Sequence, residues 1–173
     1  MHRVLKKIIC ILLIFSIFGI GGCIFDHNRR TVSSIKDTAR DVNERMLHAI
    51  EYKNADELKE LFSEKLIESD KNLDEEIAAA FDFFQGNIIS KNAVMFDEEG
   101  AKDDGVWTRY FVYGDNRNII TDDDKEYVII TSHVVVYDSK PERIGLAKIL
   151  IKDSDGNRYQ IGDFYLVNPE YKS

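Results

Sequence analysis

The feature that most constrains the fold of this chain is a change in the spacing of its apolar residues near position 88. Before this position the apolar residues recur every three or four residues, whereas after it they alternate with a period of two. The first spacing is that of an amphipathic helix and the second is that of a half-buried strand. Because the helices precede the strands instead of alternating with them, the sequence predicts the α+β class.

Three N-terminal helices are predicted from the first spacing. The apolar residues of segment 32–50 form one stripe along the first helix. The second helix begins at Asn54, which can cap it together with Glu57 in a capping box. The same arrangement at Asn72 begins the third helix, which ends before Gly86.

The second half of the chain is predicted to form strands, because β-branched and aromatic residues dominate its alternating segments. These segments are residues 106–114, 126–138, 143–153 and 158–167, with a weaker fifth candidate at 88–96. The connections between them are short, and Asp155-Gly156 is a typical hairpin turn. The sequence therefore predicts an antiparallel meander of four to five strands packed on the three helices.

The first 22 residues are organised like a secretory signal, with a basic start, an apolar middle and small residues before Cys23. The apolar stretch at 8–20 is too short for a permanent span, because a membrane-crossing helix needs ~20 apolar residues. Residues 1–22 are therefore expected to be a cleaved signal peptide. The alternative is an uncleaved anchor in which Cys23 is only a small buried hydrophobe.

The four residues IGGC at positions 20–23 resemble a bacterial lipobox. In such precursors a diacylglyceryl group is attached to the cysteine and the chain is cut before it. The resemblance implies lipidation of Cys23, a lipidated tether over residues 23–31, and a location on the extracytoplasmic face of the cell membrane. Two acyl chains are enough for stable anchoring. No cofactor is expected other than this covalent lipid.

The segments FDFFQGNIIS and RIGLAKILIKDSDGNRYQIG are similar to parts of an uncharacterised family of Gram-positive lipoproteins. Three helices followed by a strongly bent meander also resemble the nuclear-transport-factor-2-like (cystatin-like) cone. The resemblance covers roughly residues 31–167 and implies a curved sheet in one domain at 32–168, with a tail at 169–173. This fold carries both enzymes and pure binding modules, so it implies no activity by itself.

The resemblance implies that a site would lie in a pocket between the curled sheet and the helices. As ligand-binding residues we predict Trp107, Arg109, Tyr110 and His133. Weak catalytic candidates are His133, as a general base, and Asp163, as a proton shuttle in an apolar pocket. The alternatives are a hydrogen-bonded or exposed strand histidine and an outward aspartate near a strand end.

Several classes of function are not expected. The formal net charge of −8 repels phosphate backbones, so nucleic acid is not an expected partner. No metal site is expected, because the histidines are dispersed and segment 70–76 lacks the glycine and glutamate of a calcium loop. The acidic runs at 97–105 and 122–124 are expected to be solvated turns, with loose calcium binding as the alternative. With Cys23 acylated, thiol chemistry is also excluded.

The expected function is therefore a membrane-anchored extracytoplasmic module that binds a small ligand or an envelope protein. The main alternative is a small enzyme of the isomerase or lyase type that uses His133 and Asp163 in the cone. An accessory role in wall or transport complexes is a third hypothesis. A cavity lined by both side chains would favour the enzyme, whereas a cone filled by Phe, Tyr and Leu side chains would favour the binding module.

Overall fold

A computed structural model describes residues 31–172 of the chain. The predicted signal peptide, the lipidation site Cys23 and most of the tether therefore lie outside the described residues. Four helices precede the sheet and a short one follows it: α1 (Val32–Glu51), α2 (Ala55–Glu60), α3 (Glu64–Ser69), α4 (Leu73–Phe83) and α5 (Phe164–Val167). Two short 3₁₀ helices lie at Pro141–Arg143 and Pro169–Tyr171.

The strands between them form one open antiparallel sheet. They are β1 (Ile88–Ser90), β2 (Met95–Asp103), β3 (Val106–Thr121), β4 (Glu126–Tyr137), β5 (Gly145–Asp153) and β6 (Arg158–Ile161). Strands β1 and β2 share one edge of β3, and β4, β5 and β6 follow in order on its other side. The predicted α+β class, with N-terminal helices packed against an antiparallel sheet, is confirmed.

The second predicted helix is broken in the middle, so its prediction as one element is wrong. Phe62 forms an isolated bridge with Leu146 of β5. The amide of Leu146 donates to the carbonyl of Leu61 at 2.8 Å, and the amide of Ser63 donates to Leu146 at 2.9 Å. The Ser63 hydroxyl then caps α3 by accepting from the amide of Leu66 at 3.2 Å. Backbone groups that pair with a strand are not free to continue a helix.

The last predicted strand, 158–167, is also too long. Strand β6 ends at Ile161, and Gly162 follows with φ +69°, a left-handed conformation that ends the extended run. Asp163 then caps α5. The run 97–105 is not a turn as predicted, because β2 extends to Asp103 and only the next two residues turn into β3.

The core lies between the helices and the sheet, and a pair of buried amides crosses it. The Asn43 amide of α1 donates to the Asn116 side-chain oxygen of β3 at 2.9 Å, and Asn116 donates back at 2.8 Å. The Asn116 amide also donates to the carbonyl of Ile129 at 3.2 Å. Buried amides are costly unless bonded, so this pair favours one placement of α1 on the sheet.

A substitution at Gly145, at the start of β5, can test whether the bridge between Phe62 and Leu146 needs close contact between the two backbones. A Cβ on Gly145 would lie 2.6 Å from the Ser63 nitrogen, and its φ is +133°. Gly156 has φ +86° but open space around it, so it is a matched control. We expect Gly145→Ala to lower the free energy of unfolding by about 3 kcal/mol and Gly156→Ala by about 1 kcal/mol.

Urea denaturation followed by the fluorescence of Trp107, the single tryptophan of the chain, measures both losses. Equal losses in the two variants would show that backbone strain alone, and not the contact with Ser63, makes glycine necessary at position 145.

Candidate functional site

The structure separates the four predicted ligand-binding residues into three places. Successive residues of a strand point to opposite faces, so Arg109 and Tyr110 lie on different sides of β3. Trp107 joins Tyr110, because the β2–β3 register shifts between Ala101 and Lys102 and leaves an extra residue in β3. His133 lies in the interior. The structure therefore does not bring the four residues together in the single pocket that the sequence predicts.

His133 sits in β4 opposite Val112 of β3 and Leu146 of β5, and is only 5% exposed. The space beside it measures ≈ 10 Å³ and is lined by apolar residues together with Asn43 and Thr131. A volume of this size is about that of one water molecule. The interior beside His133 is therefore filled by side chains and has no room for a substrate.

Burial also fixes the protonation state of His133. Desolvation lowers the pKa of its imidazole from 6.5 to about 4. No described residue forms a hydrogen bond with the ring or an ion pair with it. The side chain is therefore a neutral imidazole near neutral pH, enclosed between α1 and the sheet.

Asp163, the second catalytic candidate, has a local structural role. Its carboxylate accepts a hydrogen bond from the amide of Tyr165 at 2.9 Å and caps the short helix α5. The prediction that Asp163 belongs to a strand over 158–167 is wrong, since the strand ends at Ile161. The cavity beside His133 does not include Asp163 among its lining residues.

Trp107 and Tyr110 belong to a cluster whose polar groups are paired. Their rings meet edge to face at 4.5 Å, and the Lys102 ammonium lies 4.2 Å from the Trp107 ring centroid. The Tyr110 hydroxyl donates to Glu98, which pairs with Lys36 of α1 at 2.6 Å. Burial, followed by the bond to Glu98, raises the pKa of Tyr110 to about 12. These contacts join α1 to the β2–β3 hairpin and leave no free donor on Tyr110.

Arg109, on the opposite face, is different because its guanidinium has no polar partner. Its Cζ atom lies 5.6 Å from the Phe111 ring and 5.2 Å from the Tyr171 ring. Within residues 31–172, no hydrogen bond or ion pair to Arg109 is present, and its Nε atom is buried without a partner. The two terminal nitrogens of Arg109, Nη1 and Nη2, are not among the buried atoms without a partner. Arg109 is thus a cation held between aromatic rings with unused donors.

The C-terminal segment supplies the rings around Arg109. The Phe164 ring lies 5.6 Å from Phe111, 6.0 Å from Tyr171 and 6.3 Å from Tyr113. Tyr165 is 46% exposed, and the Tyr171 hydroxyl is buried without a partner in the part of the chain that the structure describes. We call this surface the Arg109 face, and define it as Arg109, Phe111, Tyr113, Phe164, Tyr165 and Tyr171.

Sequence reasoning found only Arg109 of this face. Residues 164–167 were predicted as part of a strand and residues 169–173 as a tail, so their aromatic side chains had no predicted contact with the sheet. The signal that could have found them is the aromatic density of FYLVNPEY at 164–171, which is unusual for a solvated tail.

A neighbouring carboxylate is already occupied and does not neutralise Arg109. Glu170 accepts from the Tyr137 hydroxyl at 2.6 Å and from Arg143 at 2.7 Å, and Lys140 lies 3.4 Å away. Burial alone would raise the pKa of Glu170, but the bonds from Tyr137 and Arg143 lower it to about 2. Glu170 is therefore ionised and bound to other cations.

Surface grooves are also present elsewhere on the domain. One of ≈ 330 Å³ lies beside the start of α1 and is lined by Ile35, Val135 and Ile144, among others. A second of ≈ 330 Å³ lies between the end of α4 and the β5–β6 turn, and carries several carboxylates. Residues 31–172 contain no group of three or more side chains arranged to hold a metal ion. None of the helices in this range is long and apolar enough to cross a membrane.

One protein family, described as a domain of unknown function (DUF5104), matches residues 45–156, well over half of the chain. No curated protein matches the sequence. The matched range begins within α1 and ends at the turn after β5, so it contains His133 and Arg109. It does not contain the C-terminal segment that carries Phe164 and Tyr171.

The buried imidazole of His133 predicts a pH-dependent loss of stability. The unfolded chain gains a proton there as the pH falls through about 6.5, whereas the folded chain gains it only near pH 4. Acidification therefore favours unfolding, and we expect a loss of about 3 kcal/mol between these pH values. In urea denaturation, the free energy of unfolding of His133→Gln should depend less on pH than that of the wild type. His48→Gln, at an exposed position, should keep the pH dependence of the wild type.

Proton NMR of the wild-type imidazole keeps this prediction testable if His133→Gln fails to fold. The His133 resonance should show no titration above pH 5, and a midpoint near 6.5 would contradict the buried, neutral state.

Proposed function

We propose that this chain, which belongs to the DUF5104 family of domains of unknown function, is a lipid-anchored binding module outside the cell membrane. It holds a ligand or an envelope protein at the Arg109 face. The single observation that carries the binding role is the Arg109 guanidinium, which lies against two aromatic rings and has no polar partner among the described residues.

The anchor is supported by the sequence. The four residues IGGC at positions 20–23 resemble a lipobox, and the first helix begins only nine residues after Cys23, at Val32. The proposal also places the domain among Gram-positive lipoproteins with the nuclear-transport-factor-2-like cone. This resemblance rests on the same lipobox and on the order of helices and strands. Lipidation would then hold the domain close to the membrane surface.

The composition of the Arg109 face supports binding. Tyrosine and arginine are enriched among the residues that dominate binding energy at protein interfaces. An aromatic ring offers a large contact area with little side-chain entropy to lose. Tyr165 is well exposed, and Arg109 and Tyr171 are partly so. The face therefore presents rigid rings and a cation to an incoming partner.

The enzyme alternative, with His133 and Asp163 in the cone, has less support. Pockets for small molecules usually measure ~300–1,000 Å³, whereas the space beside His133 measures ≈ 10 Å³. Asp163 uses a carboxylate oxygen to cap α5. The binding module requires no opening of the interior and is the function that the geometry favours.

The anchor is tested by replacing the cysteine that would carry the lipid. We expect Cys23→Ala to remain an unprocessed precursor or to leave the membrane fraction, and to lose labelling by radioactive palmitate. Cys10→Ala is the matched control, because Cys10 lies inside the apolar run and would be removed with the signal. Normal processing, labelling and fractionation of Cys23→Ala would show that the lipobox prediction is wrong.

The binding face is tested by photo-crosslinking in cells that produce the full-length chain. A photoreactive phenylalanine analogue at Tyr165, which is 46% exposed, should form an adduct with an envelope component that is visible as a mass shift. The same analogue at Tyr52, which is 65% exposed at the far end of α1, is the control. Adducts of equal yield at both positions, or none at Tyr165, would count against the Arg109 face as the binding surface.

A further inference from the structure

We propose that the Arg109 face recognises an oxyanion, the carboxylate or phosphate group of a ligand, which binds to the Arg109 guanidinium beside the Tyr171 ring. This inference rests on the proposed function, because it names the chemical class of ligand for the same face.

The unused donors of Arg109 point to an oxyanion. A guanidinium carries several N–H donors in one plane, and none of them donates to a described residue. The Phe111 and Tyr171 rings lie 5.6 and 5.2 Å from its Cζ atom and hold the group without using these donors. A planar guanidinium with free N–H groups matches the two oxygens of a carboxylate or phosphate in a bidentate contact.

Tyr171 supplies a second unused donor at the same place. Its hydroxyl is buried and has no partner among residues 31–172. Burial raises the pKa of Tyr171, an effect that Arg109 opposes, so the phenol keeps its proton near neutral pH. A buried polar group without a partner costs free energy. An oxyanion at the solvent-facing terminal nitrogens of Arg109 would give the guanidinium a partner next to this ring.

The surrounding charges favour an anion even though the whole chain is acidic. Arg143 is 7% exposed and, with Lys140, shares the Glu170 carboxylate, so two cations face one bonded carboxylate. The Arg143 Nε atom is also buried without a partner. Arg109 adds a third cation to this part of the surface, and no described carboxylate forms an ion pair with it. An unpaired guanidinium attracts anions even on a chain of net charge −8.

Glu99 is an acidic residue that acts on this face without being bonded to a cation there, and it provides a contrast for the test. Glu99 lies opposite Phe111 in the β2–β3 pairing and is exposed. The pKa of Tyr113 is raised mainly by burial and next by the negative charge of Glu99. It forms no ion pair with Arg109 in the described structure. Removing its charge should therefore strengthen the binding of an anion.

The experiment measures the affinity of the full-length protein, in neutral detergent, for sodium phosphate and for sodium acetate. Isothermal titration or thermal unfolding is carried out at constant ionic strength, with sodium chloride as the reference salt. We expect saturable binding of at least one oxyanion. Binding of phosphate alone, of acetate alone or of both assigns the group as phosphate, carboxylate or either, and each of these results supports the proposal.

Variants locate the binding site. Arg109→Gln should weaken the affinity about tenfold or more, which is the loss of about 1.4 kcal/mol or more. Arg109→Lys, which keeps the charge but not the planar fork, should lie between Arg109→Gln and the wild type. Glu99→Gln should strengthen binding. Arg158→Gln, at an exposed arginine of β6, is the matched control and should bind like the wild type.

Circular dichroism and urea denaturation of each variant separate a loss of binding from a loss of folding. The proposal is overturned if neither oxyanion binds more tightly than chloride, or if Arg158→Gln loses as much affinity as Arg109→Gln. A crosslink at Tyr165 without oxyanion binding would leave the binding face standing and remove the oxyanion. Oxyanion binding without a crosslink at Tyr165 would instead support the oxyanion site at Arg109 and count against the binding of an envelope component at this face.

Discussion

The packing of α1 across the sheet is the constraint on which the rest of the structure depends. The reciprocal amide bonds between Asn43 and Asn116, at 2.9 and 2.8 Å, join this helix to β3 inside a largely apolar layer. A shift of the helix would break both bonds and leave the buried Asn43 amide without its partner, at a cost of about 1–3 kcal/mol. With α1 held in this position, its side chains close the space around His133 to ≈ 10 Å³.

This closure leaves no room for a ligand beside His133, whereas the outer face of the sheet carries polar groups without partners among the described residues. On the helix side of β3, Tyr110 bonds to Glu98, and the buried Asn116 bonds to Asn43. On the other side, Arg109 keeps its donors unused beside Tyr171. The two faces therefore differ in a physical property: the polar groups around Tyr110 are paired, whereas those of Arg109 and Tyr171 have no partner among the described residues.

Much of the fold was predictable because it depends on short-range patterns. The apolar stripe of segment 32–50 corresponds to α1, and the Asn54 side chain caps α2 by accepting from the Glu57 amide at 3.2 Å. The same reasoning was wrong at Asn72, which makes no capping bond. There the Asp70 carboxylate accepts a hydrogen bond from the backbone amide of Asn72 at 3.0 Å. This local bond competes with the predicted capping bond, and it too joins residues close in the sequence.

The sequence by itself determined the class of the fold, most of its strands and the resemblance of positions 20–23 to a lipobox, because each depends on residues that are neighbours along the chain. Only the tertiary structure decided that Phe62 pairs with Leu146, and that Arg109 meets Tyr171. Those contacts join residues far apart in the chain, and local periodicity carries no information about which distant groups meet. The Arg109 face is therefore a property of the folded domain, in which the C-terminal segment packs on the sheet next to an arginine that has no polar partner among the described residues.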